Sequence, residues 1–421
     1  MSTATSSATP SALDAVLKQI YRSENYGEAT YKDAPLVGLL PKFTDFGGKN
    51  MPIPIKWANP AGVSNTFSNA QGNTYASRFD AFTLTRRKVY GTAKIDGEGA
   101  DVSEGEAAAF IASMKSEVDG VMDAVTQKLE SDLFRAGTGS IGQVSSGSTV
   151  SAQTITLANI NDVVNFEVGM TLVASATDGA ANRTGTELLA AINRNTGVLT
   201  ATSAAWNTVI TALAASDFLM RQGDLNLAFH GLASWVPVTA PTSTAFFGVD
   251  RTQDVTRLGG QRYDASSSGE SYEEALIEGQ GIIGREGGKA DTILMNNVDF
   301  RRLIKATGSR VQYPRENGSR SVMGEKGARA DLSFSTLRLQ GDYGPLDILP
   351  APKCPQGRAY VLAMDSWVLA SKGTLPKILM RDGLRVQRIY NDDGYEVRVG
   401  GYGNLGNKAP GHNCVVTLPS T

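Results

Sequence analysis

An α+β architecture follows from three stretches of this 421-residue chain. Residues 103–137 read as one long amphipathic helix. Met51–Trp57 and Phe79–Asp96 read as two strands placed before it. Ser140–Arg221, placed after it, changes composition abruptly and reads as a small all-β insertion.

The helix has a start, a stripe and a stop. Ser103, followed three residues later by Glu106, forms a capping box. Phe110, Met114, Val118, Val121, Val125, Leu129 and Leu133 recur at spacings of three and four, which draws one apolar stripe. Gly137 and Gly139 end it. At ~1.5 Å per residue Glu104–Arg135 spans roughly 48 Å, nearly three times the mean globular helix of about 11–12 residues. The opposite face is expected to be exposed and acidic. It carries Glu104, Glu106, Glu117, Asp119, Asp123, Glu130 and Asp132 against Lys115, Lys128 and Arg135.

Before the helix, residues 1–10 are Ser/Thr/Ala-rich and read as disordered, and Ser11–Arg22 as a short amphipathic helix. Glu24–Asn50 has little periodicity and one apolar patch, Leu36–Leu40, so it reads as an arm that must lie across something else. Met51, Ile53, Ile55 and Trp57 alternate with Pro52, Pro54 and Lys56, and two prolines fit only an edge strand. Phe79–Asp96 is the longer strand, and its apolar parity shifts near Arg86–Arg87, where a bulge is expected. Ala58–Ser77, between the strands, contains no charged residue. A tip of about 20 residues is too long for a hairpin inside a compact domain. A projecting ribbon that needs a neighbour is expected instead.

Ser140–Arg221 holds eight charged residues in 82 and no lysine. Thr154–Leu157, Met170–Ala174, Glu187–Asn193 and Gly197–Thr202 read as strands separated by turn clusters. Beyond it, Leu225–Asp264 reads as mostly irregular, Ser271–Arg285 and Val298–Thr307 as helices, and Thr292–Met295 as a short buried strand. Arg301–Arg329 is basic and Gly-rich. Leu346–Leu349, Ala359–Met364, Leu384–Tyr390, Tyr395–Gly400 and Asn413–Leu418 are strands, with an Asp-Gly hairpin turn at Asn391–Gly394.

Composition narrows the function. A net charge of −2 supplies no basic field for nucleic acid or anionic membrane. With 45 glycines and only 19% charged residues, the chain suits many turns or surface buried against other subunits. The start has no signal-peptide pattern and no run of about 18 apolar residues occurs. Cys354 and Cys414 show no metal spacing and read as reduced structural thiols.

No catalytic, cofactor-binding or metal residue is assigned. Gly279, Gly281 and Gly284 spell GxGxxG, but they follow a helix and precede a strand, the reverse of a dinucleotide fingerprint. Only His230 and His412 are present, and each reads as a hydrogen-bonded structural residue. Asn391–Gly394 lacks the calcium-loop spacing and its closing glutamate. Arg301–Arg329 reads as a loop that pairs with acidic surface on another subunit, since no aromatic residues interleave for stacking.

The order of parts resembles the tailed-bacteriophage major capsid proteins of the Hong Kong 97 (HK97-like) fold. The likeness is carried by Ala34–Phe46 leading into Gly48–Ile55, by Ser103–Arg135, by Asp291–Leu303 and by Tyr395–Leu418. Asn165–Thr171 with Ala191–Thr200 resembles the β domains inserted in some members. The resemblance implies residues 1–50 as N-terminal arm, 51–96 as extended loop over a neighbouring subunit and 97–139 as peripheral domain with its spine helix. It further implies 140–221 as inserted domain on the outer surface, 222–264 as a peripheral linker, 265–384 as axial domain and 385–421 as peripheral strands. The implied function is a structural, non-enzymatic subunit that forms hexamers and pentamers of an icosahedral shell around double-stranded DNA.

The implied partners are copies of itself, a portal protein, a separate scaffolding protein, decoration proteins as a further option, and DNA contacted weakly and without specificity. An encapsulin-like compartment is the alternative of the same fold, and a nucleotide-dependent enzyme the alternative of another class. The implied place is the virion, with assembly in the host bacterial cytoplasm. Only about 30 residues precede the arm, too few for a fused scaffolding domain. Some members cross-link a lysine to an asparagine between subunits. Lys56, Lys88 and Lys94 lie on the loop, and no partner is assigned.

Overall fold

A computed structural model describes residues 34–96, 107–242, 245–307, 337–380, 383–389 and 393–419. The expected helix Ser11–Arg22, the Ser103–Glu106 capping box, most of Arg301–Arg329 and the turn residues Asn391 and Asp392 lie outside them.

The spine helix runs Ala107–Phe134, about 42 Å at ~1.5 Å per residue. Val118, Met122, Val125, Leu129 and Leu133 are buried and Val121 is half-buried; these are the expected stripe from Val118 onward with Met122 added, while the side chains of Phe110 and Met114 lie outside the described ones. The expected acidic face needs correction. Glu130 is 1% exposed and Asp132 is 4% exposed, so neither lies on a solvated face. Asp132 pairs with Lys128 at 2.9 Å, and Lys128 also reaches Asp224 at 2.9 Å. Glu130 caps another element, described below.

Among the described residues the chain forms three six-stranded sheets, the first of which packs on the spine. The first is organised by the long strand Gly394–Asn407. It pairs antiparallel with Arg87–Asp96, Trp367–Ser371, Lys377–Ile378 and Val386–Arg388. Lys42–Phe43 of the arm adds in parallel to Trp367–Ser371. The second sheet lies within Ser140–Arg221 and closes on itself in sequence, because Phe218–Arg221 pairs back onto Ser140–Gln143. Its core is separate and is built on Phe166, Leu172, Leu199, Trp206 and Leu219. The strand runs expected there occur, and the two bounding strands Ser140–Gln143 and Phe218–Arg221 are additions to them.

The third sheet has the order Gln261–Asp264, Cys414–Thr417, Arg358–Leu362, Thr292–Met295, Gly344–Pro350, Leu337–Gly341. Helices Tyr272–Arg285 and Asn297–Thr307 pack on it. Ser271 caps the first through a complete capping box with Glu274.

Phe79–Asp96 is not one bulged strand. Arg78–Thr85 ends at Arg86, and Arg87–Asp96 begins in a different sheet. The parity shift at Arg86–Arg87 therefore marks a change of sheet. Each half keeps its own alternation because each faces a different side of the core.

Candidate assembly surface

The ribbon consists of Asn50–Ala58 paired antiparallel with Arg78–Thr85. Its two faces have different fates. Ile53, Ile55, Trp57, Phe82 and Leu84 are buried in the main core. The Phe82 ring meets Trp235 edge-on at 5.0 Å between centroids and Phe246 at 6.4 Å. Backbone contacts hold the same face: Thr83 N–H donates to Phe247 O (2.8 Å), Asn404 Nδ2 donates to Thr85 O (2.9 Å) and Arg257 Nη1 donates to Trp57 O (3.0 Å). This corrects the expectation that the whole ribbon projects and needs a neighbour. The strands rest on their own body, because their alternation creates an apolar face that Trp235, Phe246 and the Gly406 region can cover in the same chain.

The tip behaves otherwise. Phe67–Gly72 forms a short helix with no buried residue. Val63 is 86% exposed, Phe67 81%, Tyr75 60% and Phe79 67%. Val63, Phe67 and Tyr75 on the uncharged loop, with Phe79 at the start of the returning strand, leave apolar surface that the chain itself does not cover. At the tip's root, Trp57 Nε1 donates to Asp80 Oδ2 (2.9 Å), and the Arg78 guanidinium lies over both Trp57 (5.4 Å) and Tyr75 (5.2 Å). Cation–π stacking thereby fixes the direction in which the tip leaves the body. Pro52 and Pro54 are exposed opposite Thr83 and Ala81. A strand without those two N–H donors resists pairing with a further strand along that edge.

A cleft of about 360 Å³ lies under the ribbon, lined among others by Lys56, Trp57, Arg257, Glu286, Lys408 and His412. Arg257 is engaged by Glu286 (3.2 Å) and Asp254 (3.8 Å).

Gly279 and Gly284 lie inside the helix Tyr272–Arg285, against the third sheet. A Cβ on Gly279 would stand 2.7 Å from Val416 Cγ2, and one on Gly284 2.0 Å from the Tyr343 ring. These glycines permit close helix–sheet packing, and the strand-then-helix order of a phosphate cradle is absent there. His230 packs edge-on against Phe247 (4.9 Å) and Phe246 (5.7 Å). Its Nε2 faces Arg87 Nη2 at 3.1 Å. A guanidinium only donates, so Nε2 accepts and the ring proton sits on Nδ1. Burial, then the Arg87 charge, pushes the His230 pKa down to about 4. Cys354 and Cys414 are free and buried, and burial raises both thiols. Arg302 pairs with the buried Asp299 at 3.3 Å. Among the described residues no group of His, Cys, Asp and Glu is placed to hold a metal, and no helix is long and apolar enough to cross a membrane.

No family model and no curated protein matches the chain. Solved structures do. The cyanophage A-1(L) capsid asymmetric unit superposes with a TM-score of 0.51 at 12% identity, covering 93% of this chain and 94% of that one. The capsid of the empty GTA particle gives 0.46 at 9%, covering 92% and 97%. The holo-SrpI encapsulin complex from Synechococcus elongatus PCC 7942 gives 0.40 at 10%, covering 91% and 86%. Matched to the cyanophage capsid chain over nearly the whole length of both, this protein has the HK97-like fold.

Proposed function

We propose that the chain is a major capsid protein, a structural subunit without catalytic activity that assembles with copies of itself into the hexamers and pentamers of an icosahedral shell around double-stranded DNA. The near-full-length likeness to the cyanophage capsid subunit carries this reading. The exposed apolar tip with Val63, Phe67, Tyr75 and Phe79 supports it, since a second copy is the natural cover for such a surface. Obligate contacts of about 2,000–5,000 Å² per pair are the usual scale for permanent assemblies.

In this reading the tip lies over the neighbouring subunit, residues 265–384 cluster around the five- and six-fold axes, and 140–221 stands on the outer surface. A portal protein, a separate scaffolding protein and decoration proteins complete the particle in the host cytoplasm. A net charge of −2 keeps contact with packaged DNA weak.

Negative-stain microscopy of the protein expressed alone and with its neighbouring genes tests the proposal. Closed shells are expected, and a strictly monomeric product under every condition overturns it. The content of purified shells separates the two container readings: nucleic acid supports the capsid, whereas a protein cargo without nucleic acid means an encapsulin-like compartment.

A further inference from the structure

The arm helix Pro35–Leu39 has a defective start. Ala34 occupies its N-cap and offers no side-chain acceptor, and Pro35 has no N–H. The first free donors are therefore the backbone N–H groups of Leu36 and Val37, which a helix must satisfy from outside itself. The acceptor comes from the spine, more than ninety residues away in sequence. Leu36 N–H donates to Glu130 Oε1 and Val37 N–H to Glu130 Oε2, each at 3.0 Å. Around this contact Leu36 and Val37 are fully buried and Leu40 nearly so. One carboxylate, 1% exposed, thus holds the end of the arm to the spine.

We propose that Glu130 is a carboxylate latch whose protonation sets how firmly the arm segment 34–40 is held against the spine helix. The reading concerns the single subunit and is independent of whether shells form.

Groups from several elements face Glu130. The arm contributes only its two N–H donors and apolar side chains. The loop after strand Gly344–Pro350 contributes Lys353, whose Nζ donates to Val164 O (2.5 Å) and whose charge favours ionised Glu130, and the buried Cys354 thiol. Its own helix carries Lys128 and Asp132, which pair with each other, and is followed by Arg135, which pairs with Asp162 of the insertion's short helix Ile160–Asn165 at 2.9 Å. Arg221 and Glu167, which act on Lys353, and Asp299 and Arg358, which act on Cys354, are the further charged groups of this junction. Burial dominates: it lifts Glu130 from its ordinary 4.5 to about 7, against the two N–H bonds and the Lys353 charge that favour ionisation.

The sign follows from linkage. Releasing the arm admits water to the carboxyl and returns its pKa toward 4.5, so docking takes up a proton between pH 4.5 and 7. The docked arm gains as pH falls through this window, and that gain is lost as pH rises through 7. The full window corresponds to roughly a 300-fold change in the docked-to-released ratio.

Amide hydrogen exchange on the full-length, unassembled subunit from pH 5 to 9 reads this directly, with rates corrected for intrinsic exchange. Protection of segment 34–40, relative to residues 118–133, is expected to be flat above pH 8 and to rise about fivefold from pH 7 to pH 6. E130Q is expected to abolish the slope. Lys353→Met, which removes the charge that favours ionised Glu130, is expected to move the onset to higher pH. A flat profile below pH 7 in the wild type, or a slope that survives E130Q, overturns the proposal. Should E130Q not fold, an onset unmoved in the Lys353→Met protein does the same.

Discussion

Two buried ionisable groups pull the subunit in opposite directions as pH changes. His230 is held near 4 in the folded chain against 6.5 when unfolded. Between those values only the unfolded chain takes up the proton, so His230 lowers stability as pH falls from 6.5 toward 4. Glu130, at about 7 folded and 4.5 unfolded, does the reverse and adds stability as pH falls from 7 toward 4.5. The single variants should separate them. Relative to wild type, the urea midpoint of His230→Gln should shift upward between pH 7 and pH 5, and that of E130Q downward. Identical shifts in all three proteins would show that neither group titrates as its surroundings dictate. Gly279 makes a simpler point. Replacing it with Ala drives a methyl to 2.7 Å from Val416, and overpacking of this kind costs about 1–3 kcal/mol. A thermal-shift screen with dinucleotides should leave the melting temperature unchanged, since the motif is a packing surface.

At the scale of elements, the ribbon divides into a face that serves folding and a tip left for association. Phe82→Ala removes a fully buried ring packed on Trp235 and should destabilise the monomer by about 3–5 kcal/mol, read by denaturant unfolding. The paired change Val63→Ser and Phe67→Ser touches exposed side chains only. It should leave monomer stability within about 0.5 kcal/mol yet abolish closed particles in microscopy. Stable monomers that still form shells would remove the tip from the assembly contact. The strands, their alternation and the prolines were legible from residues 50–85 alone. What covers the apolar face was not, because period-2 patterning states that a face is buried and is silent on which surface buries it.

Over the whole molecule, Ser140–Arg221 leaves and returns at adjacent strands and holds its own core. Residues 139–222 expressed alone should therefore fold, with a single cooperative thermal transition by circular dichroism; a featureless melt would show that the insertion depends on its host. Several contacts fasten it to the rest. Arg135 pairs with Asp162, Ser131 Oγ donates to Asn165 Oδ1 (3.1 Å) and Asn161 Nδ2 donates to Gln356 Oε1 (2.6 Å). The insertion is thereby pinned to both the end of the spine and the loop 351–357. Composition alone set this stretch apart, since 82 residues with eight charges and no lysine stand out from the rest of the chain. The pinning residues were invisible in sequence, being ordinary polar side chains whose partners lie 27 to 195 positions away.

Local order was decided by the sequence itself: the spine from its 3.6-residue stripe, the edge strand from alternation and proline, the insertion from charge depletion, and the order of parts that resembles the HK97-like capsid proteins. Each of these is a near-neighbour property, set by periodicity and backbone restriction. Only the tertiary structure decided that Glu130, written into an acidic face, is buried beneath the arm, that Arg86 is a switch between sheets, and that the ribbon lies on its own chain. Those outcomes depend on which distant surfaces meet, and the free energy of burying a carboxylate or a phenyl ring depends on surroundings that linear spacing does not specify.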